Sequence, residues 1–348
     1  MKTKRKGWKI AGIVLLAALL VFSAASLVIV QVMLSDNFSR TAPPEYSTHL
    51  RYADVADRCE REAVDFLSGE NRLYGHLYGA GNPSGLVVIS HGLGGGEESY
   101  LAEALYFVDQ GYQVLCYSNT GCWDSEGKNC VGLSQSVLDL DAALDWVESE
   151  RRFDGVPVFL YGHSWGGYAV AAVLHFDHHV AASASVAGFN DPMSMILEWV
   201  GPAAYVEYPF IWLNQKLTFG GAFDLTAVDA INGSDTPVLI AHGTGDTVVG
   251  YDTVSILAAR EEITNPNVQY LIRSGERQDG HNSLVYSLDC LDYVEELNQA
   301  YDALYEKYGG EIPDGEEAAF FASADKFRAS QVDPAFMDAV TAFYRQNS

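Results

Sequence analysis

A serine lies between two glycines at the point where an apolar run ends. Residues 156–161 are mostly apolar, Gly162-His163-Ser164-Trp165-Gly166 follows, and residues 168–174 then have a small, apolar helical pattern. A serine in a sharp strand-to-helix turn holds its hydroxyl clear of the sheet, where it can attack a carbonyl carbon. Because an ordinary tight turn gives the same local pattern, the prediction that Ser164 is a nucleophile depends on its partners.

Two candidate partners follow later strand-like segments. Asp246 lies in a glycine-bearing loop after residues 238–242, and His281 lies in a polar loop after residues 268–272. A histidine can take the serine proton and return it to the leaving group, while a carboxylate fixes the histidine tautomer. We therefore expect Ser164, Asp246 and His281 to form a catalytic triad. Each residue alone has a simpler explanation, and Asp279 is a rival carboxylate two residues from His281.

A glycine-rich loop follows a third buried segment. Residues 85–90 are succeeded by His91, Gly92 and Leu93, and then by three glycines. Such loops supply one backbone N–H to an oxyanion hole, and the residue after the nucleophile supplies the other. The expected donors are the N–H groups of Leu93 and Trp165. A phosphate-binding P-loop is excluded because no Gly-Lys-Ser/Thr follows, and a dinucleotide site fits poorly because no acidic residue ends a suitable second strand.

These motifs resemble those of the α/β-hydrolase superfamily, in particular its branch of monoglyceride lipases, lysophospholipases and serine aminopeptidases. The resemblance extends over roughly residues 61–285. It departs from the branch at Cys122-Trp123-Asp124, where the relatives typically have Gly-x-Gly-x-Ser-x-Gly. The matching segments are His91-Gly92-Leu93-Gly94, Gly162-His163-Ser164-Trp165-Gly166, Gly243-Thr244-Gly245-Asp246 and Gly280-His281.

The segments around these motifs alternate between strand and helix patterns. Alternation of this kind predicts a mostly parallel sheet covered by helices on both faces. The fold class expected is therefore α/β, an α/β-hydrolase fold with an inserted lid. Helical patterns cover residues 134–150 and 168–176. The predicted strands are residues 63–67, 73–78, 86–90, 113–117, 156–161, 181–186, 238–242 and 268–272.

The N-terminus predicts a membrane anchor. Residues 10–34 contain no charged side chain, and five Lys and Arg residues precede them. A helix of this length crosses about 30 Å of hydrocarbon, and basic residues stay on the cytoplasmic side. We expect an uncleaved single-pass anchor in the cell membrane, with a cytoplasmic N-terminus and an extracytoplasmic catalytic domain. The alternative is a signal peptide cleaved near Ser23-Ala24-Ala25.

The chain is expected to divide into four parts. Residues 1–9 form a basic cytoplasmic tail, residues 10–34 the anchor, residues 35–60 a linker and residues 61–348 the hydrolase domain. Residues 188–235 are the expected lid, and residues 288–348 a helical C-terminal extension. The lid is rich in large apolar side chains from Met193 to Trp212, which suits an acyl chain, although these residues could simply pack against the core. Glu198 and Glu207 also lie there, and in aminopeptidase-like relatives acidic lid residues hold a substrate amine.

Composition narrows the partners further. The formal net charge of −25 disfavours nucleic acid, whose phosphates would be repelled, and is compatible with a cationic substrate. Cys122 and Cys130 could close their loop as a disulfide in an oxidising compartment, and the sequence leaves this open. Neither a metal site nor a cofactor is predicted. His175, His178 and His179 are expected to meet the carbonyls at a helix end.

Together these features favour a membrane-anchored serine hydrolase that cleaves carboxylic esters with a lipid-like or small acyl group. One alternative is an aminopeptidase or amidase with the same triad. Another is a catalytically silent protein that uses the fold for binding. A binding protein needs no intact triad with an oxyanion loop, which favours the enzyme.

Overall fold

An eight-stranded sheet forms the centre of the molecule. The computed structural model describes residues 2–275 and 277–348. All five strands from β3 to β7 are short and apolar, and their side chains are buried on both faces, as expected for a sheet covered by helices. The strands are β1 (Arg61–Ser68), β2 (Asn71–Tyr78), β3 (Leu86–Ser90), β4 (Gln113–Tyr117), β5 (Val158–His163), β6 (Val180–Val186), β7 (Val238–Gly243) and β8 (Val268–Arg273).

The strand order is β1-β2-β4-β3-β5-β6-β7-β8. The strands β3 to β8 run parallel to one another, whereas β2 is antiparallel to both β1 and β4. Parallel strands place their carboxyl ends at the same edge, and the loops after them can therefore share one site. The eight predicted strands agree with those of the structure within two residues at each end, and the predicted α/β-hydrolase fold is confirmed.

Helices cover both faces of this sheet. The helix predicted at residues 134–150 corresponds to Gln135–Ser149. The helix predicted at residues 168–176 corresponds to Trp165–Ala172 and the short 3-10 turn Val173–His175 that follows. The helices are α1 (Lys2–Asn37), α2 (Leu101–Asp109), α3 (Gln135–Ser149), α4 (Trp165–Ala172), α5 (Pro192–Val200), α6 (Ala204–Phe219), α7 (Ala227–Asn232), α8 (Leu288–Lys307), α9 (Asp314–Ser323), α10 (Lys326–Ala329) and α11 (Pro334–Gln346).

The last helix closes one face of the sheet. Tyr344 on α11 is fully buried, stacks on Phe159 of β5 at 4.7 Å between ring centroids, and donates a hydrogen bond to the carbonyl oxygen of Leu160 at 2.6 Å. Burial of a large aromatic ring with a satisfied hydroxyl is a strong contribution to packing. Within the C-terminal extension, α11 is therefore part of the core that covers the sheet.

The first helix is long and apolar enough to cross a membrane. Its candidate span is Trp8–Asn37, within which an 18-residue stretch has a mean hydropathy of 3.0 and is 11% buried. The buried side chains include Val30 and Leu34, close to its C-terminal end. A signal sequence near an N-terminus can meet the same criteria of length and hydropathy.

The C-terminal half of α1 packs along α6. The rings of Phe22 and Phe210 lie 5.9 Å apart, edge to face. Ser26 Oγ donates to Glu207 Oε1 at 3.3 Å, and the side-chain amide of Asn214 donates to Gln31 Oε1 at 3.0 Å. The candidate span is thus fixed to the region predicted as the lid.

The chain between α1 and β1 is irregular but in close contact with the fold. Phe38, Leu50 and Val55 are buried, and the Cys130 N–H donates to the Phe38 carbonyl at 2.8 Å. Its apolar side chains explain these contacts, because each Å² of apolar surface removed from water stabilises the folded state by about 25 cal/mol. This segment connects the candidate span to the loop around Cys130.

Candidate active site

Ser164 occupies the sharp turn between β5 and α4. Its backbone angles are φ 58° and ψ −114°, which a non-glycine residue rarely adopts and which cost energy that the surrounding fold must supply. The neighbouring glycines allow the turn: a Cβ on Gly162 would lie 2.1 Å from the Gly166 carbonyl oxygen. A Cβ on Gly166 would lie 1.9 Å from the carbonyl oxygen of Ser90. The turn therefore requires glycine at both positions.

The structure brings the three predicted triad residues together. The Ser164 hydroxyl lies 2.9 Å from Nε2 of His281, and Nδ1 of His281 lies 2.7 Å from Oδ2 of Asp246. Since Oδ2 of a carboxylate can only accept, Nδ1 carries the proton and Nε2 is free to accept from Ser164. This is the arrangement in which a histidine can take a proton from the serine hydroxyl.

The Asp246 side chain is fully buried and held as an anion. Burial would raise its pKa, but hydrogen bonds from His242 and His281 outweigh this effect and hold the pKa of Asp246 well below its usual range. The backbone N–H groups of Val248 and Val249 also donate to Oδ1, at 2.8 and 2.9 Å. A fixed carboxylate of this kind can orient an imidazole and stabilise its protonated form.

Asp279, the rival carboxylate, lies elsewhere. Its Oδ2 accepts a hydrogen bond from the backbone N–H of Gly275 at 3.0 Å, and its carbonyl accepts from the Gly245 N–H at 2.9 Å. These bonds connect the loop before His281 to the loop that carries Asp246. Asp279 therefore ties the two loops together, while Asp246 is the carboxylate on the His281 ring.

The two predicted oxyanion donors are available. Leu93 lies in the loop after β3, and Trp165 begins α4 directly after Ser164. Within residues 2–275 and 277–348, neither backbone N–H has an acceptor. The Trp165 side chain is buried and donates from Nε1 to the Leu133 carbonyl at 2.6 Å. The N–H groups of Leu93 and Trp165 are thus free to bind the oxygen of a tetrahedral intermediate.

His91 shapes the oxyanion loop. Its Nε2 accepts from the Asn119 N–H at 3.0 Å, so Nδ1 carries the proton and donates to the Gly92 carbonyl at 2.7 Å. Burial lowers the pKa of His91 to about 4, and the ring is neutral at physiological pH. The histidine of the His-Gly motif therefore fixes the backbone that carries Leu93.

Two residues that the sequence analysis did not predict, Tyr100 and His163, connect the oxyanion loop to the triad. The Gly92 N–H donates to the Tyr100 hydroxyl at 3.1 Å, and that hydroxyl lies 2.8 Å from Nδ1 of His163. Nε2 of His163 lies 2.9 Å from the carbonyl of His281, which can only accept. Burial lowers the pKa of His163 to about 3, so the neutral ring donates from Nε2 and accepts from Tyr100 at Nδ1. The sequence offers one signal for this network: His163 stands between Gly162 and Ser164 in the nucleophile motif.

Tyr100→Phe tests whether this network positions the site. The substitution removes two partly buried hydrogen bonds, each with a net contribution of about 1 kcal/mol, so we expect kcat to fall by about 10- to 30-fold with little change in KM. The control is Tyr344→Phe, which loses one buried hydroxyl bond far from Ser164. Steady-state kinetics with both variants, below their melting temperatures, should show the loss of kcat for Tyr100→Phe alone. A kcat within twofold of the unsubstituted protein for Tyr100→Phe would refute the positioning role.

Ser164 opens into a cavity of about 840 Å³. The lid contributes Trp199 to its described lining, and other apolar wall residues are Leu291 and Val294 of α8. The large apolar residues from Met193 to Trp212 thus contribute little to the described cavity wall, and for several of them the alternative, packing against the core, applies. Met195 and other lid side chains face the core, since α5 must bury its own apolar face. The C-terminal extension, by contrast, lines the cavity through α8.

The two lid glutamates are not part of this cavity lining. Glu198 Oε1 accepts from the Thr253 hydroxyl at 2.7 Å, and Glu207 accepts from Ser26 of α1. In the part of the chain that the structure describes, the carboxylate that lines the cavity belongs to Glu103 of α2.

The loop between β4 and α3 supports the oxyanion loop. Trp123 has a positive φ of 45°, and its ring lies directly on Gly96, where an added Cβ would be 2.2 Å from it. Cys122 and Cys130 bracket this loop as buried free thiols with their Sγ atoms 3.4 Å apart. Residues 122–124, where the sequence departs from the pattern of the lipase and aminopeptidase branch, thus place the Trp123 ring against the glycine-rich loop.

His178 differs from the expectation for the histidine cluster. It does not meet helix carbonyls; its Nε2 lies 2.8 Å from Asp141 Oδ1 and its Nδ1 3.3 Å from Glu148 Oε1, both on α3. The hydrogen bond with Asp141 raises the pKa of His178. The histidine is attracted to the acidic face of α3, which the sequence pattern did not reveal.

Three comparisons agree with this geometry. Residues 81–219, or 139 of the 348 residues, match a family model described as serine aminopeptidase, S33. The chain is 31% identical to the quorum-quenching protein AidA of Acinetobacter baumannii over 135 residues, 38% of this chain and 44% of that protein. It is 34% identical to human monoglyceride lipase over 89 residues, 25% of this chain and 29% of the lipase. The chain thus spans less than half the length of the curated relatives it matches.

A solved structure shows the same fold. The esterase Pf2001 of Pyrococcus furiosus superposes with a TM-score of 0.54 at 17% sequence identity, covering 77% of this chain and 98% of the esterase. Identity at this level is informative for the fold, whereas the motifs and the sequence relatives are informative for the chemistry. Taken together with the residues assembled around Ser164, they show that this chain has the α/β-hydrolase fold and that part of it is similar in sequence to serine hydrolases of that fold.

Proposed function

We propose that the chain hydrolyses carboxylic esters through Ser164, His281 and Asp246. The single observation that carries the proposal is the continuous hydrogen-bonded series from the Ser164 hydroxyl through His281 to Asp246, at the wall of an 840 Å³ cavity. The names of two relatives, monoglyceride lipase and an esterase, favour an ester substrate.

The geometry suits a two-step acyl transfer. Ser164 Oγ attacks the ester carbonyl while Nε2 of His281 takes its proton, and Asp246 stabilises the imidazolium. The N–H groups of Leu93 and Trp165 bind the oxyanion. The C–O bond then breaks, and His281 returns the proton to the departing alcohol. Water, activated by His281, attacks the acyl-enzyme and releases the acid and free Ser164.

A panel of matched substrates tests ester against amide cleavage. Nitrophenyl esters of increasing acyl length present an ester carbonyl on a neutral chain, whereas aminoacyl anilides present an amide carbonyl beside a free amine. We expect kcat/KM to be higher for the esters and to rise about fourfold per carbon while each methylene is buried against residues such as Leu291 and Val294. Anilide cleavage that depends on a free amine, with no effect of ester chain length, would establish the peptidase alternative instead.

We also propose that α1 anchors the enzyme in a membrane with the catalytic domain outside the cytoplasm. The basic residues before Trp8 support this orientation. The exposed face of α6 supports membrane contact: Tyr205 is 70% exposed and Leu217 is 80% exposed, on a helix that packs along α1. Apolar side chains exposed beside a span are stabilised by lipid.

Proteolysis of intact cells tests this topology. We expect added protease to reach the catalytic domain while the protein retains its basic N-terminal residues. Mass spectrometry of the mature N-terminus is the second measurement, because a terminus near Ser26 would show a cleaved signal peptide. Protection of the domain in intact cells, with digestion only after lysis, would place it in the cytoplasm and contradict the proposed orientation.

A further inference from the structure

Glu103 is a buried carboxylate at the wall of the catalytic cavity. It lies in the first turn of α2, is 3% exposed, and that small surface belongs to the cavity lined by Ser164. It follows Tyr100 by three residues, so the two side chains share one side of the helix start. The Tyr100 hydroxyl bonds Gly92 in the oxyanion loop, and both Tyr100 and Glu103 line the cavity that contains Ser164.

The protein provides no partner for this carboxylate. Across residues 2–275 and 277–348, no side chain and no N–H of another residue donates a hydrogen bond to it. The described lining of the cavity contains neither lysine nor arginine, and Glu103 is the one carboxylate in it. Burying an ionised carboxylate costs free energy unless an opposite charge lies beside it. A cationic group of a ligand bound in the cavity could provide that charge.

The groups that surround Glu103 are neutral. Its charge acts on Tyr100, on Cys116 of β4, on Tyr161 of β5, on Tyr286 just before α8 and on Cys290 in the first turn of α8, and burial raises the pKa of each of them. Three histidines line the cavity, His49, His163 and His281, and two of them, His49 and His163, are also neutral because burial lowers the pKa of each. Burial raises the pKa of Glu103 itself to about 7. The carboxyl thus loses its proton near neutral pH.

We propose that Glu103 binds a protonated amine of the substrate, so that the ester or amide cleaved at Ser164 carries a cationic group. This inference rests on the proposed function. The aromatic rings of Tyr100 and Tyr286 line the same cavity and favour a cation over a neutral group. The net charge of −25 raises the local concentration of cations around the protein. The amine site is therefore on α2, not at the lid residues Glu198 and Glu207.

A matched pair of probes tests the proposal without hydrolysis. In the full-length Ser164→Ala protein, binding of 4-phenylbutylammonium and of its neutral counterpart 4-phenylbutanol is measured by calorimetry at pH 8. We expect the ammonium to bind at least tenfold more tightly, because a charge-assisted hydrogen bond replaces an unpaired carboxylate. Adding Glu103→Gln should reduce this ratio to about one. The control Glu70→Gln removes the same charge from an exposed turn between β1 and β2 and should leave the ratio unchanged.

The pH dependence provides a readout that needs no substitution at Glu103. Its raised pKa means that the carboxyl is mostly neutral at pH 5.5 and ionised at pH 8.5, so the preference for the ammonium should increase with pH. Binding at pH 7 should release a fraction of a proton, visible as a dependence of the binding heat on the buffer. The alcohol should show neither effect.

Three results would overturn the proposal: equal affinity for the two probes at pH 8, an unchanged ratio in Glu103→Gln, or a preference that does not vary with pH. Since the probes are measured in Ser164→Ala, these results are independent of catalysis. Failure of the proposed function would instead appear as a lack of serine reactivity in the unsubstituted protein.

Discussion

Replacing Ser164 by alanine is expected to lower ester turnover by about 10⁴ to 10⁶ while leaving the fold intact. The substitution removes the nucleophile whose hydroxyl lies 2.9 Å from Nε2 of His281, and the donors Leu93 and Trp165 remain. Stopped or continuous assays with a nitrophenyl ester measure the loss, and circular dichroism verifies the fold.

A serine outside the network serves as the control. Ser99 lines the same cavity, and its hydroxyl bonds the Gly96 N–H at 3.0 Å without contact to His281. Ser99→Ala should therefore have a far smaller effect than Ser164→Ala. Undiminished turnover by purified Ser164→Ala would contradict the assignment of the nucleophile.

Asp246→Asn is expected to lower kcat by about 10² to 10⁴. An asparagine can present its amide N–H₂ to Nδ1 of His281, which favours the tautomer with the proton on Nε2, and that tautomer cannot accept the Ser164 proton. The lost charge also leaves the imidazolium without stabilisation. Rate measurements across pH determine the effect, because some activity should return as the conditions become more alkaline.

Asp279→Asn is the matched control for this substitution. Asp279 is two residues from His281 in sequence, yet its carboxylate bonds the Gly275 N–H and not the ring. We expect a kcat within about tenfold of the unsubstituted protein, through loosening of one loop bond. A larger loss for Asp279→Asn than for Asp246→Asn would reverse the two assignments.

The sequence could predict the sheet and the position of the chemistry because both depend on local signals. Ser164, Asp246 and His281 each follow an apolar strand, and parallel strands deliver their following loops to one edge of the sheet. The glycines beside Ser164 further identify the turn, since no larger residue fits there. These features need no knowledge of distant contacts.

The remaining parts of the site depend on packing between distant segments. Tyr100 and Glu103 resemble ordinary residues of an amphipathic helix, and only the folded chain places one beside Gly92 and the other in the cavity. The apolar wall from Leu291 and Val294 comes from α8, which follows the last of the sequence motifs at Gly280-His281. The composition of the lid left open whether its apolar side chains line the cavity or pack against the core, because side-chain direction around α5 and α6 decides which residues face the cavity.

The central claim is that Ser164 is an activated nucleophile, and covalent labelling tests it most directly. The full-length protein is treated with a fluorophosphonate, which reacts with a serine whose proton is taken by a neighbouring base. Intact-mass and peptide mass spectrometry then locate the adduct. The account predicts a single adduct on Ser164, lost in Ser164→Ala and strongly slowed in Asp246→Asn. An unlabelled protein, or an adduct on another serine, would contradict it and favour a protein that uses this fold for binding.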